Sequence, residues 1–443
     1  MELRDLIVTP IVVLLVLAAA YYIRPRVTDE NTRRYFFPAL LVKIFGAIAL
    51  GFLYQYYYQG GDTYNYHTYG SRVIWEAFIE SPGIGWKLIT SNGEYFTGSF
   101  EYASKIRFYR DPSSFFVVGV SALADLFTFS SYSATAVIFS VISFCGAWAM
   151  FIAFYQFRPG LHRWLAIATL FIPSVVFWGS GLLKDTLTLA ALGILTFAIN
   201  QLFIRGKFSW TGIIFLMGSI WILYSVKKYI LLCFVPASFF LIYANSIAKF
   251  RSIIPKLLLF PFMIGLFALT GYYSVQIIGE DDSRYSLDKI AGTARITAYD
   301  IGFYTGRNAG SGYSLGELDG TFNNMISKFP QAVNVSLFRP YLWEVKNPLM
   351  LFSALESMVL VLFTLYVLVR VRHRLILALI DPQILFCLVF SVTFAFAVGV
   401  STFNFGTLAR YKIPLLPFYT VALIFMIDYL NKSRNLSEFD LTE

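Results

Sequence analysis

The chain has 443 residues, 57% of them hydrophobic and only 14% charged, with a net charge of +9. A soluble domain of that make-up has too little polar surface to stay in solution, and the apolar residues fall in runs of roughly 17–25, the length that crosses about 30 Å of hydrocarbon as a helix. The positive charge does not mark nucleic-acid binding, because the basic residues sit in short clusters between apolar runs, where they set membrane topology.

Continuous apolar runs of this length are helical, since lipid leaves the backbone to satisfy itself. Eleven spans are expected, over residues 6–23, 36–58, 132–155, 164–180, 186–204, 211–225, 230–248, 257–278, 349–370, 382–400 and 413–430. The first ends near Ala18-Ala19-Ala20, a stretch suited to signal peptidase. However, Met1-Glu2-Leu3-Arg4-Asp5 carries net negative charge, the wrong sign for a signal peptide, so a retained span is expected. With eleven spans the basic clusters all fall on one side. They are Arg24, Arg26, Arg33 and Arg34; Arg158 and Arg163; Arg205 and Lys207; Lys249, Arg251 and Lys256; Arg370, Arg372 and Arg374; and Lys432 and Arg434. That places the N-terminus outside and the C-terminus in the cytoplasm.

The expected fold is an all-α polytopic membrane protein, a single integral membrane domain over 1–443 in the cytoplasmic membrane. Residues 115–129, with Asp125 among them, are expected to be re-entrant or interfacial, because a full crossing would split the basic clusters between two faces. Residues 370–380 should rest on the cytoplasmic surface, with Asp381-Pro382 as the N-cap and first-turn proline of the next span. Two long extracytoplasmic segments remain, 59–113 and 279–348, with helical stretches such as Ser71 to Ile79, and their length points to function. Cys145, Cys233 and Cys387 lie inside apolar runs, as expected of core packing.

Three stretches carry candidate chemistry. The first is Gly60-Gly61-Asp62-Thr63-Tyr64-Asn65-Tyr66-His67, directly after a span. A carboxylate at the membrane boundary, behind two glycines that permit a sharp turn, suits a general base facing a lipid-borne substrate. The alternative is that Asp62 caps the following helix while Tyr64 and Tyr66 join the interfacial aromatic belt. The second runs from Pro173 through Gly179-Ser180-Gly181-Leu182-Leu183-Lys184-Asp185-Thr186. Pro173 loosens its helix, and the turn brings Lys184 to the outer face to hold a phosphate oxygen, with Asp185 capping the next span. An ordinary interfacial Lys-Asp pair fits as well. The third, Asn404 to Pro417, places Arg410, Tyr411 and Lys412 on the face that should be poor in cations. Arg410 offers a planar donor fork for phosphate, against simple interfacial anchoring.

Lys227-Lys228 and Lys105, Arg107 and Arg110 are weaker candidates that equally describe solvated faces. Glu356 lies inside a span and is expected to line a polar cavity. Lys43 and Asp428 are expected to snorkel towards the cytoplasm. Glu280-Asp281-Asp282 is expected as a solvated acidic turn, with divalent-metal binding the lesser alternative. The sequence has no His/Cys metal pattern, Walker-type loop or nucleophile elbow.

With these motifs the chain resembles the C-type (GT-C) superfamily of membrane glycosyltransferases, which use polyprenyl-phosphate-linked sugars. The resemblance lies in Gly61-Asp62 with Tyr66 and Gly70 downstream, in the Phe177-to-Asp185 stretch, and in Arg410-Tyr411 with Pro414 and Pro417 before the final span. It implies a GT-C-like fold, a lipid-linked sugar as co-substrate, and transfer to a glycan, lipid or protein acceptor. Two departures stand out: the loop carboxylate follows the second span rather than the first, and it is single where several relatives carry a pair. The second leaves a divalent metal open. In this reading Asp62 takes the acceptor proton, while Arg410, helped by Lys184 or Lys412, stabilises the departing phosphate. Tyr66, His67, Glu356, Arg107 and Arg110 complete the candidate binding set, and Asp62, Lys184 and Arg410 should converge on one non-cytoplasmic pocket. A polymerase of lipid-diphosphate oligosaccharides shares this logic, and a lipid or polysaccharide transporter is the alternative from another class.

Overall fold

The computed structural model describes residues 2–248, 253–282, 286, 289–304 and 311–439. Lys249 and Arg251 lie outside the described residues, as do the side chains of Lys256, Asp281, His373, Lys432 and Arg434. Helices carry nearly the whole path. Among the described residues there is no strand, only an isolated antiparallel bridge between Gly312 and Asn404.

Among the described residues seven helices are long and apolar enough to cross a membrane: Leu3–Val27, Arg33–Tyr57, Tyr132–Phe157, Lys184–Ile204, Lys228–Ile247, Pro348–Val371 and Pro382–Thr402. An eighth span results if Phe405–Tyr411 and Leu415–Asn431, bent by 65° against each other, count as one. The chain is therefore a helical, multi-pass membrane protein. The expected run 164–180 is broken, into His162–Leu170 and Pro173–Trp178, because a proline disfavours helical backbone in the residue before it. The run 211–225 forms the 17-residue helix Trp210–Val226, and 257–278 falls within Ile253–Asp281. The chain divides into two compact units, Met1–Leu202 with Phe208–Lys227, and Phe203–Lys207 with Lys228–Glu443.

In the first unit Tyr132–Phe157 lies against Leu3–Val27, Arg33–Phe52 and Lys184–Ile199. Small residues let two of these backbones meet. A Cβ on Gly146 would lie 2.2 Å from Ala190 Cα, and one on Gly193 would lie 2.0 Å from the Gly146 carbonyl oxygen. Close backbone approach of this kind substitutes in a membrane for the hydrophobic effect, which does not act between helices in lipid. Phe36 sits edge-on to both Phe144 and Trp148 at 5.0 Å between ring centroids and fills the contact on the other side. Cys145 faces outward, not into the core as expected, because its neighbour Gly146 takes the inward position at the crossing.

The helix Leu3–Val27 is inside-out: its buried residues are Asp5, Thr9 and Ala20, while Leu6, Ile7, Ile11, Leu14 and Leu15 are exposed. Residues 112–128 form a helix with most of its inner face buried. Its Asp125 carboxylate is wholly inside and accepts from the Ser71 and Thr135 hydroxyls, each at 2.6 Å. The expected helix within 71–79 is found as Arg72–Glu80.

In the second unit, Phe234, Phe386, Phe390 and Phe418 interlock edge-to-face between Lys228–Ala248, Pro382–Thr402 and the last helix, Leu415–Phe439. Asp381 caps Pro382–Thr402 as its sequence suggests, accepting from the N–H groups of Gln383 and Ile384 at 2.9 and 3.2 Å. Residues 311–313 are stitched to 403–405 by Phe405 N–H to Ser311 O at 2.8 Å and Tyr313 N–H to Phe403 O at 3.1 Å.

Substituting Gly146→Leu should lower stability by roughly 1–3 kcal/mol or prevent assembly, because the new side chain meets backbone that cannot yield. Gly160→Leu, with nothing within 4 Å of its Cβ, is the control. Thermal unfolding of the purified protein in detergent compares the two, and equal midpoints would show that the crossing is looser than described.

Candidate functional site

The first unit collects charge around the start of the Lys184–Ile199 helix. Asp62 opens the five-residue helix Asp62–Tyr66 behind Gly60 and Gly61, whose φ angles of +132° and +118° suit glycine alone. A Cβ on Gly61 would also meet the Tyr54 ring at 2.9 Å. The N-cap is Gly61, with no side-chain cap, so Asp62 does not cap its helix.

The turn that delivers Lys184 has a buried anchor. Lys43 does not snorkel. It is 1% exposed, and its ammonium donates to Ser143 Oγ, Val175 O and Gly179 O, each at 3.0 Å. These carbonyls belong to the end of Pro173–Trp178, where helix geometry leaves acceptors without backbone partners. From there the chain runs through Gly179-Ser180-Gly181 to Leu183, which is extended, and then to Lys184 as first helical residue.

Lys184 donates to Ser113 Oγ at 2.7 Å and approaches Asp111 Oδ2 at 3.4 Å, and the charges of Lys227 and Asp62 also act on it. Asp111 precedes Pro112 at the start of the Pro112–Thr128 helix, and the hydroxyls of Ser113 and Ser114 donate to it. Desolvation pushes the Asp111 carboxyl up, but those hydroxyls and the Lys184 ammonium outweigh it and hold it below the usual carboxylate range. Asp185 does not cap its helix either: it forms a buried ion pair with Lys227 at 2.5 Å. Lys227 itself follows the C-terminus of Trp210–Val226, where the helix dipole favours a cation.

The structure thus pairs two of the sequence candidates, Asp185 with Lys227, and sets Lys184 against Asp111, with the charge of Asp62 also acting on Lys184. The others in this unit lie elsewhere. Tyr66 is a core residue beside Phe108, at 5.2 Å between ring centroids. His67 is fully buried, edge-on to Tyr132 and 3.5 Å from Asp125, and neither ring nitrogen has a hydrogen-bond partner. Arg107 and Arg110 are exposed, with the Arg110 guanidinium 5.3 Å above the Tyr95 ring.

The second unit holds Arg410, Tyr411, Lys412 and Glu356. Asn404 caps the helix Phe405–Tyr411 through the N–H groups of Gly406 and Thr407, at 2.8 and 3.2 Å. Arg410 and Tyr411 end that helix half-buried. Lys412 turns inward to 1% exposure, where its ammonium donates to Ser357 Oγ at 3.1 Å and reaches Arg339 O at 3.5 Å, with Glu356 supplying negative potential. It is therefore an internal clamp rather than an open cation.

Arg339, which the sequence reading did not single out, pairs with both oxygens of Glu344 and sits over Phe405, at 5.3 Å from the ring centroid. Burial pushes the Glu344 carboxyl up, but Arg339 and the Tyr341 N–H hold it below the usual carboxylate range. Among the described residues no three His, Cys, Asp or Glu side chains gather as a metal ion would require. Comparison with family models, curated proteins and solved structures finds no match to this chain.

Two outcomes check this geometry. Lys227→Met strands the Asp185 carboxylate and should cost roughly 3–5 kcal/mol, whereas Asp185→Asn with Lys227→Met should recover most of the loss. Chemical denaturation of the single and double variants measures it, and additive losses would refute the pairing. The Glu344 contribution is present above the unfolded carboxyl value of about 4.3 and fades as pH falls through the lower folded value. Glu344→Gln should therefore lower the unfolding midpoint at pH 7, with the gap to the parent closing below about pH 4.

Proposed function

We propose that the protein is a membrane glycosyltransferase, GT-C-like, that moves a sugar from a polyprenyl-phosphate-linked donor to an acceptor hydroxyl on the extracytoplasmic face. The proposal includes the eleven-span topology with the N-terminus outside. What supports it is the pair of helix starts at Asp62 and Lys184, with Lys184 held by Asp111 and Ser113 and acted on by the charge of Asp62. A carboxylate beside a restrained ammonium matches the needs of the reaction, a base for the hydroxyl and a cation for the phosphate.

The chemistry balances without further reagents. The acceptor oxygen forms a bond to the anomeric carbon as its proton passes to Asp62. The bond from that carbon to the phosphate oxygen breaks, and its electron pair leaves with the polyprenyl phosphate. Lys184 stabilises the charge that develops there, and the burial of Asp185 against Lys227 fixes the helix start that presents it.

The test is transfer by the purified full-length protein in vesicles, with labelled polyprenyl-phosphate and polyprenyl-diphosphate sugars as donors. Asp62→Asn should reduce turnover by about 10²–10⁴-fold with unchanged thermal stability. Lys184→Met should lower it by a comparable factor. Transfer at the parental rate by Asp62→Asn sinks the assignment. Growth by whole oligosaccharide blocks from diphosphate donors would mark a polymerase, and passage of labelled lipid across the bilayer without covalent change would mark a transporter.

A further inference from the structure

A cavity of about 230 Å³ in the first unit is left unused by this reaction. Its wall includes Glu2, Asp5, Phe52, Tyr64, Arg72 and Tyr132. The volume is below the ~300–1,000 Å³ of pockets for drug-sized ligands and suits a head-group-sized one.

The charges in the wall are unequally matched. Arg72 is committed: its guanidinium meets Glu2 Oε1 at 2.6 Å and the Ser130 hydroxyl and carbonyl, each at 3.4 Å. Asp5 is 5% exposed, and its carboxylate accepts from Ser131 Oγ at 2.8 Å, Glu2 N–H at 2.9 Å and Ser133 N–H at 3.3 Å. All three donors are neutral. Among the described residues no cation pairs with it: Arg72, in the same wall, pairs with Glu2 instead, and His67 makes no hydrogen bond to it. A buried carboxylate normally carries a cationic partner, and this one faces a space. Aromatic rings complete the wall: Tyr64 and Tyr132 stack with centroids 4.5 Å apart, and Phe52, itself stacked on Tyr56, lines the same cavity. Carboxylate and aromatic faces together are the chemistry that recognises an ammonium group.

We propose that this cavity binds the ammonium group of a small amine, with Asp5 as its counter-ion and Tyr64, Tyr132 and Phe52 as its cage. The amine can come from an aminophospholipid head group or from a soluble compound. The proposal does not depend on glycosyl transfer.

The experiment uses the full-length protein in detergent, mixed with phosphatidylethanolamine or with phosphatidylglycerol, whose head group has no ammonium. Native mass spectrometry counts the lipids retained. A second arm follows thermal unfolding with added ethanolamine or glucosamine. Preference for phosphatidylethanolamine by about tenfold, lost in Asp5→Asn, supports a lipid source. Stabilisation by a soluble amine without lipid preference, also lost in Asp5→Asn, supports a soluble one. Phe52→Ala leaves the hydrogen bonds of Asp5 intact and should weaken either effect, so it decides the matter if Asp5→Asn fails to fold. Absence of any ammonium preference in the parent protein overturns the proposal, as does a preference untouched by both variants.

Discussion

The ammonium of Lys43 is the fixed point of the first unit. A helix that breaks within an apolar environment leaves carbonyl oxygens without partners, and lipid supplies none. Here the break after Trp178 is closed by a cation arriving from another helix, with Val175 O, Gly179 O and the Ser143 hydroxyl as its acceptors. The charge is costly to bury, and the three short contacts are what make it tolerable. Removing it would leave the Gly179–Leu183 turn unsupported, and with it the placement of Lys184 and Asp185.

The same economy recurs across the molecule. Several buried ionisable groups are met by a specific neighbour rather than by solvent: Asp125 by two hydroxyls, Asp185 by Lys227, and Lys412 by Ser357 and the Arg339 carbonyl. Such groups are expensive in a membrane, where they mark helix interfaces and functional sites. The proposed chemistry draws instead on less buried groups at helix starts, Asp62, Asp111 and Lys184, where a lipid-borne phosphate can reach.

Much of the fold was legible because hydrocarbon imposes length and composition directly on the chain. Apolar runs, the Asp381-Pro382 cap and the helix beginning at Arg72 all follow from local pattern. Partners were not legible. Lys43 looked like a snorkelling lysine because its three acceptors lie far along the chain, and Asp185 looked like a cap because Lys227 is distant in sequence. Asp111 carried a readable signal, an Asp-Pro pair before an apolar helix like the one at Asp381, but its contact with Lys184 joins segments 73 residues apart. Arg339 and Glu344 are close in sequence, yet nothing in their spacing shows that the chain folds back there. The sequence also joined Asp62, Lys184 and Arg410 in a single pocket. Asp62 and Lys184 lie in the first compact unit and Arg410 in the second.

The separation between Lys43 and its acceptors shapes the birth of the protein. Ser143 follows it by 100 residues and Gly179 by 136. At about 5–20 residues per second, a ribosome leaves that lysine waiting on the order of ten seconds for its last acceptor. Until then the second helix carries a naked charge and has reason to linger beside the translocon's aqueous channel rather than enter lipid alone. Synthesis of Gly179 is therefore the moment at which the early helices can be released together as an assembled bundle.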